Sequence, residues 1–208
     1  YNAKSNTNYE NSYEGDWDYS AFFIQPRVEI YDLVSAEFGL RLEDSKMTLE
    51  TKKDPNTGSN VKADVSDNDA YASLNITYHL LEDIQARFAY YNSINRPDFR
   101  EVAPAQFTDP VSGDLYQGNP RLISSTVDNM DLRFEYYFSD NESITAAVFR
   151  KDFTDIIERT VSIVSGSSNS TVFRYDNGGN AFAQGLELGF SKDISFDNSI
   201  VGLRLSGN

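Results

Sequence analysis

Cysteine is absent from the 208 residues, which excludes disulfide frameworks, thiolate nucleophiles and zinc–thiolate sites. Histidine occurs once, too little for a His-based triad or a multi-histidine metal site. Basic residues are scarce: 18 Lys and Arg stand against 32 Asp and Glu, a formal net charge of −14. A chain so acidic lacks the basic patch that phosphate neutralisation requires, so no nucleic-acid partner is expected. A polybasic membrane-surface segment is disfavoured for the same reason. Uninterrupted apolar runs extend only a few residues, far short of the roughly 20 that a transmembrane helix needs. No basic stretch followed by an apolar run opens the sequence at Tyr1, so no export signal is expected within it. Aromatics, by contrast, are plentiful, with 13 Tyr and 14 Phe. A disordered chain of this polarity would lack them. The dominant period is two, and the expected class is all-β.

The alternation is explicit. Ala36, Phe38, Leu40 and Leu42 alternate with Glu37, Gly39, Arg41 and Glu43, one face apolar and the other ionic. Ala70, Ala72, Leu74, Ile76, Tyr78 and Leu80 repeat the pattern, followed by Ile84, Ala86, Phe88 and Tyr90. Met130, Leu132, Phe134, Tyr136 and Phe138 form another apolar row, as do Ile144, Ala146 and Val148. Leu186, Leu188 and Phe190, then Val201, Leu203 and Leu205, complete the series. An aromatic-rich first strand spans about 17–31, with about 1–16 loop-like, for a total of about eight strands.

The links between strands alternate in length. Those near Asp32–Val34, Leu81–Asp83, Ser139–Glu142 and Lys192–Asn198 are short. Those at Thr51–Asn68 and Ser93–Val127 are long, and one around Ser165–Ser170 is intermediate. Antiparallel up-and-down strands joined this way carry tight turns on one rim and long loops on the other, the asymmetry of outer-membrane barrels. No charge falls on the apolar rows, as expected where an Arg or Lys near the bilayer midplane costs about 2–4 kcal/mol. Aromatics beside turns (Tyr78, Tyr136–Phe138) and on the first strand (Trp17–Tyr19, Phe22–Phe23) suit interfacial girdles. The alternative is a soluble β-sandwich, an adhesin-like binding module that also keeps one face apolar.

Five short motifs sharpen the expectation. Tyr90-Tyr91-Asn92-Ser93-Ile94-Asn95-Arg96-Pro97-Asp98-Phe99-Arg100 precedes Gly118-Asn119-Pro120-Arg121-Leu122. Then come Asp131-Leu132-Arg133-Phe134-Glu135-Tyr136-Tyr137-Phe138 and Val148-Phe149-Arg150-Lys151-Asp152-Phe153, followed by Asn177-Gly178-Gly179-Asn180-Ala181. In this order they resemble the barrel domain of TonB-dependent outer-membrane receptors, and Phe38-Gly39-Leu40-Arg41-Leu42-Glu43 looks like a G-x-R-x-E strand of that family. The resemblance covers about residues 17–208. Physically, Pro97 ends a strand, Asn119-Pro120 is turn chemistry, and Asn177–Asn180 supplies positive φ for a bulge or bend.

The resemblance implies one stretch of an outer-membrane barrel that closes with about 22 strands around a plug. No plug domain is expected within these residues. The implied partners are outer-membrane lipid, the receptor's own plug, TonB through another part of the receptor, and a scarce small ligand. Siderophore, metal chelate, cobalamin and oligosaccharide all fit. No catalysis, cofactor or metal ion is expected. An oxygen-rich run at Asp64, Asp67, Asn68 and Asp69 lacks the Gly and Glu of a calcium loop and reads better as a solvated loop. His79 reads as structural or solvent-exposed.

On this reading Glu37, Arg41, Glu43, Arg87, Asp131, Arg133, Glu135, Lys151 and Glu187 face the lumen and plug. The link at Ser93–Val127 is long enough to be functional. Its Arg96, Arg100, Phe107, Tyr116, Gln117 and Arg121 combine cationic, aromatic and amide groups that could stack on a chelate and bond to its oxygens. These six are the candidate ligand contacts. Pairing of the arginines with Asp98, Glu101 and Asp109 inside the loop is the competing role.

Overall fold

The structure is a computed structural model that describes residues 13–51, 60–103, 105–109, 111, 113–139, 141–164, 170–195 and 202–207. In chain order its elements are β1 (Tyr13–Ile24), β2 (Arg27–Ile30), β3 (Val34–Thr51), β4 (Lys62–Leu81), β5 (Ile84–Asn95), a single helical turn α1 (Phe99–Val102), β6 (Gln106–Thr108) and β7 (Leu115–Gln117). They continue with β8 (Ser125–Ser139), β9 (Glu142–Thr154), β10 (Ile157–Val164), β11 (Ser170–Asn177), β12 (Ala181–Ser195) and β13 (Gly202–Gly207). The main sheet runs β1-β3-β4-β5-β8-β9-β12-β13, each neighbour antiparallel, an open stretch of barrel wall. Its path contains the eight expected strands.

Two boundaries differ from the sequence expectation. Tyr13–Asp16, expected as loop, pair with Thr48–Thr51 as the start of β1, while residues 1–12 lie outside the described set. The first strand is broken at Gln25-Pro26, because proline cannot donate to the ladder. Register carries across the break, from Ile24↔Leu40 to Arg27↔Glu37, and Phe38 N donates to Pro26 O at 3.0 Å. The three-residue β2–β3 link has φ of 49° at Tyr31 and 54° at Asp32, the paired positive values of a type I′ turn, closed by Leu33 N donating to Ile30 O at 2.9 Å.

Burial across the sheet is the reverse of a soluble protein's. Phe134 is 50 % exposed and Leu188 62 %, whereas Glu43 and Glu135 are 9 % and 5 % exposed. The crowded face carrying these carboxylates is termed the inner face, and the exposed apolar one the outer face. A sandwich would bury its apolar faces between two sheets; here that face stays uncovered, which removes the sandwich alternative. Register places Glu37, Arg41, Glu43, Arg87, Asp131, Arg133, Glu135, Lys151 and Glu187 together on the inner face.

At one level the pattern inverts. Phe22, Leu42 and Ala70 lie side by side on the outer face, and two residues further along their strands stand Ser20, Asp44 and Asn68. Beyond this line the outer face is polar, through Asp18, Lys46 and Asp64, while Met47, Leu49, Ala63 and Val65 turn inward and are buried. Val102, Ala103, Ala105 and Leu122 from the following link complete this small core. The inversion explains why β3 and β4 run on to Thr51 and from Lys62, where a long link was expected. Residues 52–59 of that link lie outside the described set.

Inversion also corrects two smaller expectations. Trp17 and Tyr19 point inward above the line, donating to Ser45 Oγ and Glu43 Oε1 at 2.8 Å each, so they belong to no outer girdle. Asp64 and Asn68 face outward while Asp67 and Asp69 face inward, so a strand rather than a loop divides the oxygen-rich run between two faces. Tyr78, Tyr136 and Phe138 do stand exposed near the short turns. The turn at 196–201 is not among the described residues.

Candidate ligand site on the long-loop rim

The site is built on the strand ends that rise above the outer polar line. Arg96 directly follows β5 and reaches across the inner face, its Nη2 2.7 Å from Glu43 Oε2 and its Nε 3.1 Å from Asp67 Oδ2. Arg41 also pairs with Glu43 through Nε, and its Nη2 donates to Tyr19 OH at 2.7 Å. Ser124 Oγ adds a donor to Asp67 at 2.9 Å. Only 15 % of the Arg96 side chain is exposed. This guanidinium is committed to strand-to-strand ion pairs and stands apart from the other ligand candidates.

After Arg96 the chain turns on buried Pro97 into α1, where Asp98 and Glu101 form a reciprocal capping box. Phe99 packs against Gly15 of β1, where a Cβ would come within 2.8 Å of its ring. Gly118 is equally constrained, since a Cβ there would collide with the carbonyl oxygens of Ala103 and Arg100. Asn119 then fastens several segments: its N–H donates to Glu101 O at 2.6 Å, its amide to Tyr175 O at 2.9 Å and Asp176 Oδ1 at 2.8 Å. Its Oδ1 accepts from Arg121 N at 3.0 Å.

The second long link folds as a β-hairpin. Strands β9 and β12 continue into β10 and β11 with unchanged register, from Phe153↔Ala181 to Ile157↔Asn177. Between them Asp155 (φ 53°) and Gly179 (φ 90°) make the bend expected of the Asn177–Asn180 run. Asn177 holds the base of this hairpin to Ile123 by bonds of 3.0 Å in both directions, and donates to Asp155 O at 2.8 Å. Strand β11 pairs in parallel with β7, giving a second sheet in the order β10-β11-β7-β6. The expected link at Ser165–Ser170 lies between β10 and β11, and residues 165–169 fall outside the described set.

That sheet gathers the remaining candidates. Arg100, Phe107 and Tyr116 line one cleft of about 170 Å³ together with Thr108, Asp109 and Tyr175. Gln117 and Arg121 line a neighbouring one of about 420 Å³ with Arg174, Tyr175 and Asp176. The Arg100 guanidinium lies 5.5 Å from the Phe107 ring centre and that of Arg159 4.9 Å from Phe173. Tyr116 stacks on Phe173 at 5.1 Å. Gln117 Oε1 accepts from Arg174 Nε at 3.0 Å, so it also braces the sheet. Burial, aided by the Glu101 carboxylate, raises the Tyr175 phenol above its usual pKa and keeps it a neutral donor. Aromatic faces flanked by guanidiniums suit a flat, electron-rich, anionic molecule.

Sequence reasoning missed Arg159, Phe173, Arg174 and Tyr175. The signal was present, since Ile157, Val161 and Ile163, then Phe173 and Tyr175, alternate with polar residues. Nothing in the sequence, however, tells that this hairpin meets a loop 57 residues earlier, as Val172↔Leu115 records. Among the described residues no group of His, Cys, Asp and Glu is arranged to hold a metal ion.

A family profile described as "TonB dependent receptor-like, beta-barrel" matches residues 1–208. No curated protein matches the sequence. Among solved structures, the siderophore receptor PirA of Pseudomonas aeruginosa is 14 % identical with a TM-score of 0.58, over 92 % of this chain and 43 % of that one. A double mutant of the Serratia marcescens hemophore receptor HasR, in complex with hemophore HasA and heme, is 15 % identical with a TM-score of 0.66, over 85 % and 32 %. A mutant of the ferric enterobactin receptor PfeA from Pseudomonas aeruginosa, in complex with enterobactin, is 17 % identical with a TM-score of 0.52, over 86 % and 34 %. The chain thus spans less than half the length of these receptors, and at such identities the likeness is one of fold.

Proposed function

Since the chain belongs to the TonB-dependent receptor-like β-barrel family, we propose that it forms one stretch of the barrel wall of an outer-membrane receptor. Its outer apolar band meets lipid, its inner polar face meets a plug carried elsewhere in the receptor, and TonB acts through another part of the molecule. The work is uptake rather than catalysis. The observation that carries this reading is the exposed apolar band with a polar boundary at one level across β1, β3 and β4. A strand face buried in hydrocarbon would end there, where water and headgroups begin.

The ligand is an iron-bearing one, a ferric siderophore or haem. Two observations support this over cobalamin or an oligosaccharide: the solved relatives are siderophore and hemophore receptors by name, and the rim clefts pair arginine with aromatic rings.

The orientation is tested in the intact receptor. Arg in place of Leu74 or Phe134 on the outer face abolishes the heat-modifiable gel band of an assembled barrel. Arg in place of Asn75, and Arg133→Lys on the inner face, preserve it. Equal tolerance on both faces overturns the reading.

A further inference from the structure

Deep on the inner face, two arginines face each other directly across neighbouring strands, Arg87 on β5 and Arg133 on β8. Like charges in this position repel. They are held by one carboxylate, Glu135, which is 5 % exposed. Arg87 Nε lies 3.2 Å from its Oε2 and Arg133 Nε 2.8 Å from its Oε1. Tyr137 OH donates to Oε2 at 3.0 Å, and Gln85 Nε2 donates to the same oxygen. Glu135 thus meets four partners, and among the described residues it is the one carboxylate paired with either guanidinium, Nε being the nitrogen that approaches it.

Two features make this an unfinished site. One carboxylate against two guanidiniums leaves a positive charge, in a chain of net charge −14. Asp131 and Glu187, the next carboxylates on this face, form no ion pair with either arginine, and among the described residues no other carboxylate does. Both arginine side chains are about half-exposed, at 53 % and 48 %. A half-exposed guanidinium that shares one carboxylate with a second arginine keeps further N–H donors in a planar fork, the geometry that takes another carboxylate in bidentate fashion. Beside them the inner face is low: Ala147 stands opposite Arg133, and Gly189 stands opposite Thr145.

We infer that Arg87 and Arg133 form the docking point for an acidic side chain, Asp or Glu, of the receptor's own plug domain, with Glu135 as the residue that positions the two forks. The inference rests on the barrel-and-plug reading proposed above and assigns the partner chemistry of its inner face. Depth favours the plug over an incoming ligand. The pair sits about 17 Å of strand below Asp128, where the outer face turns polar, and so lies at the level of the apolar band. Whatever meets it there already fills the barrel.

The experiment uses the full-length receptor in planar bilayers, with channel conductance recorded as urea is raised to loosen the plug. The Arg87→Gln/Arg133→Gln receptor, still heat-modifiable on gels, shows a roughly tenfold higher open fraction at a urea concentration where the wild type stays closed. Arg87→Lys/Arg133→Lys keeps most of the closure. In a second measurement a photo-crosslinking residue replaces Ala147, leaving the cluster intact, and captures a plug peptide containing Asp or Glu. An unchanged open fraction in the Gln variant, or capture of a plug peptide without a carboxylate, overturns the docking point. A wild-type receptor that conducts freely without urea overturns the plugged-barrel reading itself, and the inference with it.

Discussion

The side-chain amide of Asn119 touches both long links at once. It bonds to the Tyr175 carbonyl and the Asp176 carboxylate, while its backbone N–H holds Glu101. Asn119→Ala strands these partners at an expected cost of about 1–3 kcal/mol. Limited proteolysis of the intact receptor should cut the 155–180 link faster, with the barrel band unchanged. Gly118→Ala should do the same by steric means, since its Cβ meets backbone rather than a movable side chain. Arg96 acts through charge. Arg96→Ala removes one of the two cations on buried Glu43 and the only one on Asp67 among the described residues. Arg41 and Tyr19 remain on Glu43, so the expected loss is about 1–3 kcal/mol. Thermal loss of the heat-modifiable band should come at a lower temperature than in Arg100→Ala, whose guanidinium only lies over a ring.

At the scale of an element, β3 behaves as two strands joined end to end. From Val34 to Leu42 its outer residues are apolar, and from Asp44 onward they are polar while Met47 and Leu49 turn inward. Two residues therefore separate the last apolar position of the outer face from the first polar one. Leu42→Arg should hinder barrel assembly, by about 2 kcal/mol or less because it lies at the edge of the band. Asp44→Arg, next on the same face, should assemble normally. Comparable yields of assembled receptor from both would place the membrane boundary elsewhere. The lower halves of β3 and β4 were legible from alternation alone. Their upper halves were not, because a face assigned apolar from Ala36 to Leu42 reads as ended when it becomes ionic. The strand itself continues, and only the polarity of its outer residues changes.

Across the whole molecule, the candidate ligand contacts gather where two loops meet. The clefts of the second sheet draw Arg100, Phe107 and Tyr116 from one link and Tyr175 and Arg174 from the other. Arg100→Ala, Tyr116→Ala and Arg121→Ala in the intact receptor should each weaken ferric-siderophore or haem binding several-fold, with assembly unchanged. Undiminished affinity in all three would remove this rim from the ligand site. Period two, the clean apolar rows and the alternation of short and long links were determined by the sequence alone, because each is a local consequence of strand geometry and of a two-faced wall. The Asn177–Asn180 bend was equally local, since it needs only residues that tolerate positive φ. Tertiary structure alone decided which partners those residues meet. Arg96 pairs with Glu43 and Asp67 because the end of β5 brings it over β3 and β4, and Tyr175 joins the rim clefts because β11 docks on β7. Such contacts join segments tens of residues apart, and the spacing of residues along a chain carries no record of them.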